Sequence, residues 1–70
     1  MFCVRLRNLP NKMRSEELRK IFNRPIETIE QSAGSARICF KGSDVDAVKF
    51  HDSWNGKVVG NKRIEMMIDW

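Results

Sequence analysis

The chain has 70 residues, of which 41% are hydrophobic and 31% are charged, and its formal net charge is +4. A chain of this length forms one small domain, so we expect a single domain over residues 1–70, cut from a larger protein because the chain ends abruptly at Trp70. No apolar run approaches the roughly 20 residues of a membrane helix and neither end resembles a signal peptide, which argues against a membrane partner. The positive charge is compatible with nucleic-acid binding but does not establish it.

The chain begins with a predicted strand over residues 2–9, in which Val4 and Leu6 point inward. Pro10 ends this strand, because proline cannot donate a hydrogen bond to a ladder. The first predicted helix begins at Ser15, a residue type that is favourable as an N-cap. The apolar stripe of this helix is Leu18, Ile21 and Phe22, spaced i, i+3, i+4.

Two further strands are predicted over residues 26–31 and 33–40. The connection Gln31–Gly34 between them is tight, so the pair forms a hairpin. The second strand of the hairpin has the clearest alternation in the chain. Its core-side residues are Ala36, Ile38 and Phe40, and its outward residues are Ser35, Arg37 and Cys39.

A second helix is predicted to begin at Ser43, with Asp46 three positions on as a short capping box. The buried stripe of this helix comprises Ala47, Phe50, His51 and Trp54. His51, the single histidine, is therefore expected to be packed or hydrogen-bonded rather than catalytic. After a brief extended segment at Val58–Val59, a last strand is predicted over residues 63–69.

The predicted order of elements is βαββαβ, and two helices on one face of a four-stranded antiparallel sheet would bury both apolar sets. This is the α+β, ferredoxin-like split βαβ architecture. Across essentially the whole chain, the pattern resembles the RNA recognition motif (RRM) family. The segments that carry the resemblance are Val4–Pro10, Glu17–Phe22, Ala33–Phe40, Ala47 and Trp54–Gly56. Their order and spacing, rather than any single segment, make the resemblance specific.

The chain departs from the family at three positions where an aromatic ring is usual, which are Arg5, Ser35 and Arg37 here. In the family such rings stack on bases of single-stranded RNA and contribute roughly 1–3 kcal/mol per base. Ala33 also replaces the basic residue that usually leads the third-strand octapeptide. The resemblance therefore implies the fold without implying the usual ring-stacking mechanism.

Residues that alternate away from the core form one face of the predicted sheet, which we call the sheet face. Its candidate RNA-binding or partner-binding residues are Arg5, Arg7, Glu30, Ser35, Arg37, Glu65, Met67 and Asp69. The family's strand order of last, first, third, second implies that Arg5 lies between Arg37 and Met67. Glu30 then lies on the other side of Arg37. Three arginines meet three acids, so the sheet face is formally neutral.

Our leading hypothesis is a non-catalytic module of a protein in RNA metabolism, which binds another protein or a second copy of itself. It rests on the missing rings, the neutral sheet face and two outward valines of the second helix, Val45 and Val48. The alternative is unconventional binding of single-stranded RNA through Arg5, Arg7 and Arg37, whose guanidinium groups can stack on bases and pair with phosphates. A solvated sheet face without a ligand is the third interpretation.

A basic patch is also predicted on the first loop and the solvent side of the first helix. Its members are Lys12, Arg14, Arg19, Lys20 and Arg24. Such a patch can contact a phosphate backbone without distinguishing base sequence, although the same pattern is typical of a solvated helix face.

The sequence contains no paired carboxylates, no serine–histidine arrangement and no phosphate-binding glycine loop, so we expect no enzyme activity, cofactor or small-molecule substrate. Cys3 and Cys39 lack the spacing of a metal site, so we expect no metal ion and two reduced thiols. We expect the first and third strands to run parallel, which would place these cysteines too far apart to form a disulfide. Reduced thiols favour an intracellular location, in the cytoplasm or the nucleus.

Overall fold

Four strands form one antiparallel sheet in the computed structural model, which describes residues 1–70. In chain order the elements are β1 (Phe2–Arg7), α1 (Ser15–Phe22), β2 (Ile26–Ser32), β3 (Ser35–Phe40), α2 (Asp44–Trp54), β4 (Val58–Val59), β5 (Lys62–Arg63) and β6 (Glu65–Asp69). The sheet order is β2-β3-β1-β6, and β4 and β5 form a separate small hairpin. The predicted α+β architecture and strand order are confirmed. Neither helix is long and apolar enough to cross a membrane.

The core lies between the sheet and the two helices, because alternate residues of each strand point to the same side. Val4 of β1 is opposite Ile38 of β3 and Ile68 of β6. Val4 and Ile38 are fully buried. The helices contribute their buried residues to the same core. These are Leu18 and Phe22 of α1, and Ala47 and Phe50 of α2. The predicted inward positions are therefore the ones that pack.

Aromatic rings fill the end of the core where β1 begins and β3 ends. The ring centroid of Phe40 lies 4.7 Å from that of Phe50, 5.4 Å from that of Phe2 and 6.2 Å from that of Phe22. Trp54 extends the cluster, with its ring centroid 4.8 Å from that of Phe22. These contacts join β1, β3 and both helices, so they fix how the two layers meet.

The helix starts follow the capping predictions with one difference. At α2 the backbone N–H of Ser43 donates to the Asp46 carboxylate at 2.9 Å, as the capping box requires. At α1 the N-cap is Arg14 rather than Ser15, and its backbone N–H donates to the Glu17 carboxylate at 3.4 Å. The Glu17 carboxylate thus accepts a hydrogen bond from the free N–H group at the start of α1, and the Ser15 hydroxyl has no capping role.

His51 is half-buried between α2 and β6. Its Nε2 lies 3.0 Å from the backbone carbonyl oxygen of Met66, at hydrogen-bond distance. The prediction that His51 is packed or hydrogen-bonded is therefore confirmed.

The sequence prediction for the two cysteines is wrong. Strands β1 and β3 run antiparallel, and Cys3 lies directly opposite Cys39 with 4.0 Å between their Cα atoms. The two residues form a disulfide, and the chain contains no free cysteine. The direction of β3 follows from the topology. The crossover through α1 makes β2 parallel to β1, and the β2–β3 hairpin then reverses the chain, so β3 runs antiparallel to β1. The inference from reduced thiols to a reducing compartment therefore loses its basis.

Candidate functional site

The outward residues of the four main strands form three rows across the sheet face. In the order β2, β3, β1, β6, the rows are Ser32, Ser35, Arg7, Glu65; then Glu30, Arg37, Arg5, Met67; then Thr28, Cys39, Cys3, Asp69. All eight predicted sheet-face residues thus lie on one surface. Ser35 and Arg37 point away from the helices, because their neighbours Ala36 and Ile38 fill the core.

The Asp69 carboxylate forms ion pairs with two of the three arginines of the sheet face. The Nε of Arg37 donates to Asp69 Oδ2 at 2.7 Å, and the Nε of Arg5 lies 3.5 Å from the same oxygen. We call these three residues the Asp69 cluster. Because β1 lies between β3 and β6, the side chain of Arg37 must cross β1 to reach Asp69; Arg37 is in register with Arg5, and Asp69 with Cys3. The acid that pairs with Arg37 is therefore a diagonal partner two strands away, and Glu30, directly opposite, forms no ion pair.

The Asp69 cluster shifts the titration of its members. The hydrogen bond from Arg37 lowers the pKa of the Asp69 carboxyl, and the nearby charge of Arg5 lowers it further. The same hydrogen bond raises the pKa of Arg37. At neutral pH both partners are therefore charged and paired.

We expect this pairing to stabilise the domain at neutral pH and to lose its effect in acid. The pKa of Asp69 is lower in the folded than in the unfolded chain, so its contribution is complete above about pH 4 and disappears as the pH falls through the folded-state pKa. Carbon-13 NMR titration of the carboxyl group measures this pKa directly. Arg37→Gln is expected to raise the pKa of Asp69 toward its ordinary value, whereas Lys49→Gln on α2 should leave it in place. An Asp69 pKa that is the same in Arg37→Gln as in the wild type would contradict the Arg37–Asp69 hydrogen bond.

A concavity of about 480 Å³ opens on the sheet face, at the end of the sheet where β1 ends and β3 begins, away from the disulfide. Its polar lining includes Arg5, Arg7, Arg37, Glu30, Ser32 and Ser35. The Oγ atoms of Ser32 and Ser35 lie 2.8 Å apart, within hydrogen-bond distance. Three guanidinium groups and two hydroxyls against one carboxylate favour an anionic or hydrogen-bonding ligand, such as a phosphate group or the edge of a base.

The loop between β1 and α1 lies at the same end of the sheet as this concavity, because it leaves β1 directly after Arg7. The backbone N–H of Leu9 donates to the carbonyl oxygen of Gly34 at 3.0 Å, and the Gln31 side-chain amide donates to the backbone of Met13. Lys12 and Arg14 are exposed on this anchored loop. They carry two further positive charges on the loop at this end of the sheet, although neither residue lines the concavity. Arg19 and Lys20 are exposed on α1.

Arg24 does not belong to the basic patch that the sequence predicts. Its guanidinium carbon lies 5.3, 5.5 and 5.6 Å from the ring centroids of Phe2, Phe40 and Phe50, and its Nη2 donates to the carbonyl oxygen of Lys41 at 2.9 Å. This position is at the opposite end of the sheet from Arg7. The guanidinium lies over the aromatic cluster, where cation–π attraction stabilises it. Spacing gives no signal for this contact, since the three rings come from β1, β3 and α2.

Two exposed apolar positions on α2 agree with the sequence prediction. The side chains of Val45 and Val48 lie one helical turn apart on the solvent side, and the residues are 62% and 45% exposed. Met67, in the middle row of the sheet face, is also exposed. The structure therefore offers two separate surfaces for a partner, the sheet face and the α2 valines.

The feature of the sheet face that sequence analysis missed is the disulfide between Cys3 and Cys39. Both residues are nearly buried although they point away from the helices, and Cys3 is in register with Asp69. The signal was present in the sequence, because alternation placed both cysteines on the outward face of two neighbouring strands. Only the strand direction was misassigned.

No family model and no curated protein matches this chain. Solved structures do match it. The RRM domain of S. pombe Puf1 is 19% identical, with a TM-score of 0.82 over 97% of this chain and 96% of that chain. RNA recognition domains 1 and 2 of Drosophila melanogaster Sex-lethal are 28% identical, with a TM-score of 0.78 over 94% and 48%. The C. elegans NONO-1 homodimer is 19% identical, with a TM-score of 0.80 over 93% and 27%. With the β2-β3-β1-β6 sheet and both helices on one side, these similarities show that the chain has the RRM fold.

Proposed function

We propose that this domain is a non-catalytic RRM-type module that binds single-stranded RNA on its sheet face, through guanidinium and hydroxyl contacts instead of stacked rings. The observation that carries the proposal is that three arginines and two serines line one concavity of the sheet face. The RNA recognition domains of Sex-lethal, at 28% identity, share the fold and support an RNA ligand.

Arg7 is the residue best placed to contact RNA first. It is exposed and has no carboxylate within ion-pair distance, although Glu65 is opposite it on β6. An unpaired guanidinium can form two hydrogen bonds to a phosphate group or stack on a base. Beside it, the hydroxyls of Ser35 and Ser32 offer hydrogen bonds of either polarity.

The acids of the sheet face do not prevent this binding. Asp69 is already engaged by Arg5 and Arg37, so little of its negative charge is left to repel a phosphate. Glu30 is the only carboxylate that lines the concavity. The guanidinium groups of the Asp69 cluster stay accessible, since the side chains of Arg5 and Arg37 are 59% and 39% exposed.

Charge reversal at Arg7 tests the proposal. We expect Arg7→Glu to weaken the binding of a short, labelled single-stranded RNA by about tenfold or more, and to reduce the salt dependence of log affinity by about 0.7 for each phosphate group that the variant no longer neutralises. Fluorescence anisotropy at low and moderate salt measures both quantities. Lys49→Glu changes the net charge equally on α2, on the other side of the molecule, and serves as the matched control. Absence of binding at low salt, or equal effects of the two variants, would refute RNA binding by this face.

A second candidate function is binding of another protein, or of a second copy, through the α2 valines. The exposure of Val45 and Val48 favours it, and the fold is shared with the NONO-1 homodimer. Sedimentation at increasing concentration tests self-association. A mass that rises with concentration, and returns to that of the monomer in Val48→Asp, would support this function independently of RNA.

A further inference from the structure

The position of the Cys3–Cys39 disulfide connects it with the residues proposed to bind RNA. It joins the two central strands on the sheet face, in the row that ends in Asp69. Cys3 is 7% exposed and Cys39 is 2% exposed, so neighbouring side chains shield both sulfur atoms on this solvent-facing side. Arg37 donates across β1 to Asp69, the residue that is in register with Cys3.

We propose that Cys3 and Cys39 form a reversible thiol–disulfide pair, whose state sets how firmly Asp69 holds Arg5 and Arg37 and thereby the affinity of the sheet face for single-stranded RNA. The RNA part of this inference rests on the proposed function. Oxidation requires a small-molecule disulfide: a cysteine thiolate attacks it and releases one small thiol, and the second cysteine then displaces the other. In total, two protein thiols and one small disulfide become one protein disulfide and two small thiols.

Packing explains the coupling between the sulfur atoms and the Asp69 cluster. Non-bonded heavy atoms keep roughly 3.5–4.0 Å apart, so two separate thiols need more room than a disulfide. Cys3 lies between Cys39 and Asp69 in register. When the bond is broken and the two sulfur atoms separate, we therefore expect the Cys3 sulfur to move toward the Arg37–Asp69 contact. Because one carboxylate oxygen holds both arginines, displacing it loosens both.

Thermodynamic linkage makes this coupling reciprocal. If reduction frees the arginines for RNA, then bound RNA must favour reduction by the same factor.

The decisive experiment compares the oxidised and reduced forms of the domain, at a low temperature at which NMR shows that both are folded. We expect the reduced form to bind single-stranded RNA about three- to tenfold more tightly, the size expected when one or two exposed ion pairs stop competing with the ligand. Asp69→Asn should bind with the higher affinity in both redox states, because it releases the arginines without altering the disulfide. Cys3→Ser combined with Cys39→Ser should not respond to redox reagents.

A second measurement separates this inference from the proposed function. The Arg37 Nε–H resonance should shift on reduction, toward its position in Asp69→Asn. If neither form binds RNA, the proposed function fails, and this resonance alone decides whether the disulfide controls the Asp69 cluster. Equal RNA affinities of the two forms, an Arg37 resonance that does not respond, or a reduced domain that does not fold would each overturn the inference.

Discussion

Replacing Cys3 and Cys39 together by alanine is expected to lower the free energy of unfolding by about 4 kcal/mol. The disulfide joins residues 36 positions apart, so it removes much of the conformational freedom of the unfolded chain. Folded domains are stable by about 0.05–0.15 kcal/mol per residue, so this loss is a large part of the total for 70 residues. The reduced domain should thus fold in the cold and unfold on moderate warming. Urea denaturation followed by circular dichroism measures the change.

The control for this prediction is the same measurement with a reductant present. Reduction should lower the stability of the wild-type domain most of the way to that of the double alanine variant, whereas the variant should not respond. The remaining difference between reduced wild type and variant reports the packing of the sulfur atoms, separately from the cross-link. A wild-type unfolding midpoint that is the same with and without reductant would show that the disulfide does not stabilise the domain.

The faces of the sheet were predictable because a strand has a side-chain period of two. In β3, a shift of register by one residue would expose Ile38 and Phe40 and bury Arg37, which the hydrophobic effect forbids. The structure places Ile38 and Phe40 at 0% exposure, as the alternation predicts. The same reasoning gave the outward residues of β1 and β6. Local pattern therefore determined which residues reach the sheet face.

The alternation of side chains did not determine which residues of the sheet face contact one another. Periodicity is the same for parallel and antiparallel strands, so alternation alone did not give the direction of β1 relative to β3. The expectation that these strands run parallel was inconsistent with the antiparallel sheet that the family resemblance implies, and it hid the Cys3–Cys39 pairing. Alternation also does not predict long side chains that cross a strand. Arg37 reaches Asp69 over β1, and this contact depends on strand order, on register and on the length of the arginine side chain together.

The largest effect of a single substitution is expected at Phe40. Its side chain is fully buried, and its ring packs against those of Phe2, Phe22 and Phe50 from β1 and both helices. Phe40→Ala removes these contacts and leaves a cavity, so we expect the free energy of unfolding to fall by about 3–5 kcal/mol. Urea denaturation of the oxidised protein measures this loss without interference from the disulfide.

Val45→Ala is the matched control, because Val45 is exposed on α2 and its truncation should change stability by less than about 0.5 kcal/mol. A loss below about 1.5 kcal/mol for Phe40→Ala would show that the aromatic cluster does not bind the two layers together. The result also concerns the sheet face, because Phe40 follows Cys39 directly in β3. Phe40 packs against rings of both helices on the buried side of β3, while the β1–β3 ladder holds Cys39 and Arg37 in register with Cys3 and Arg5 on the other side.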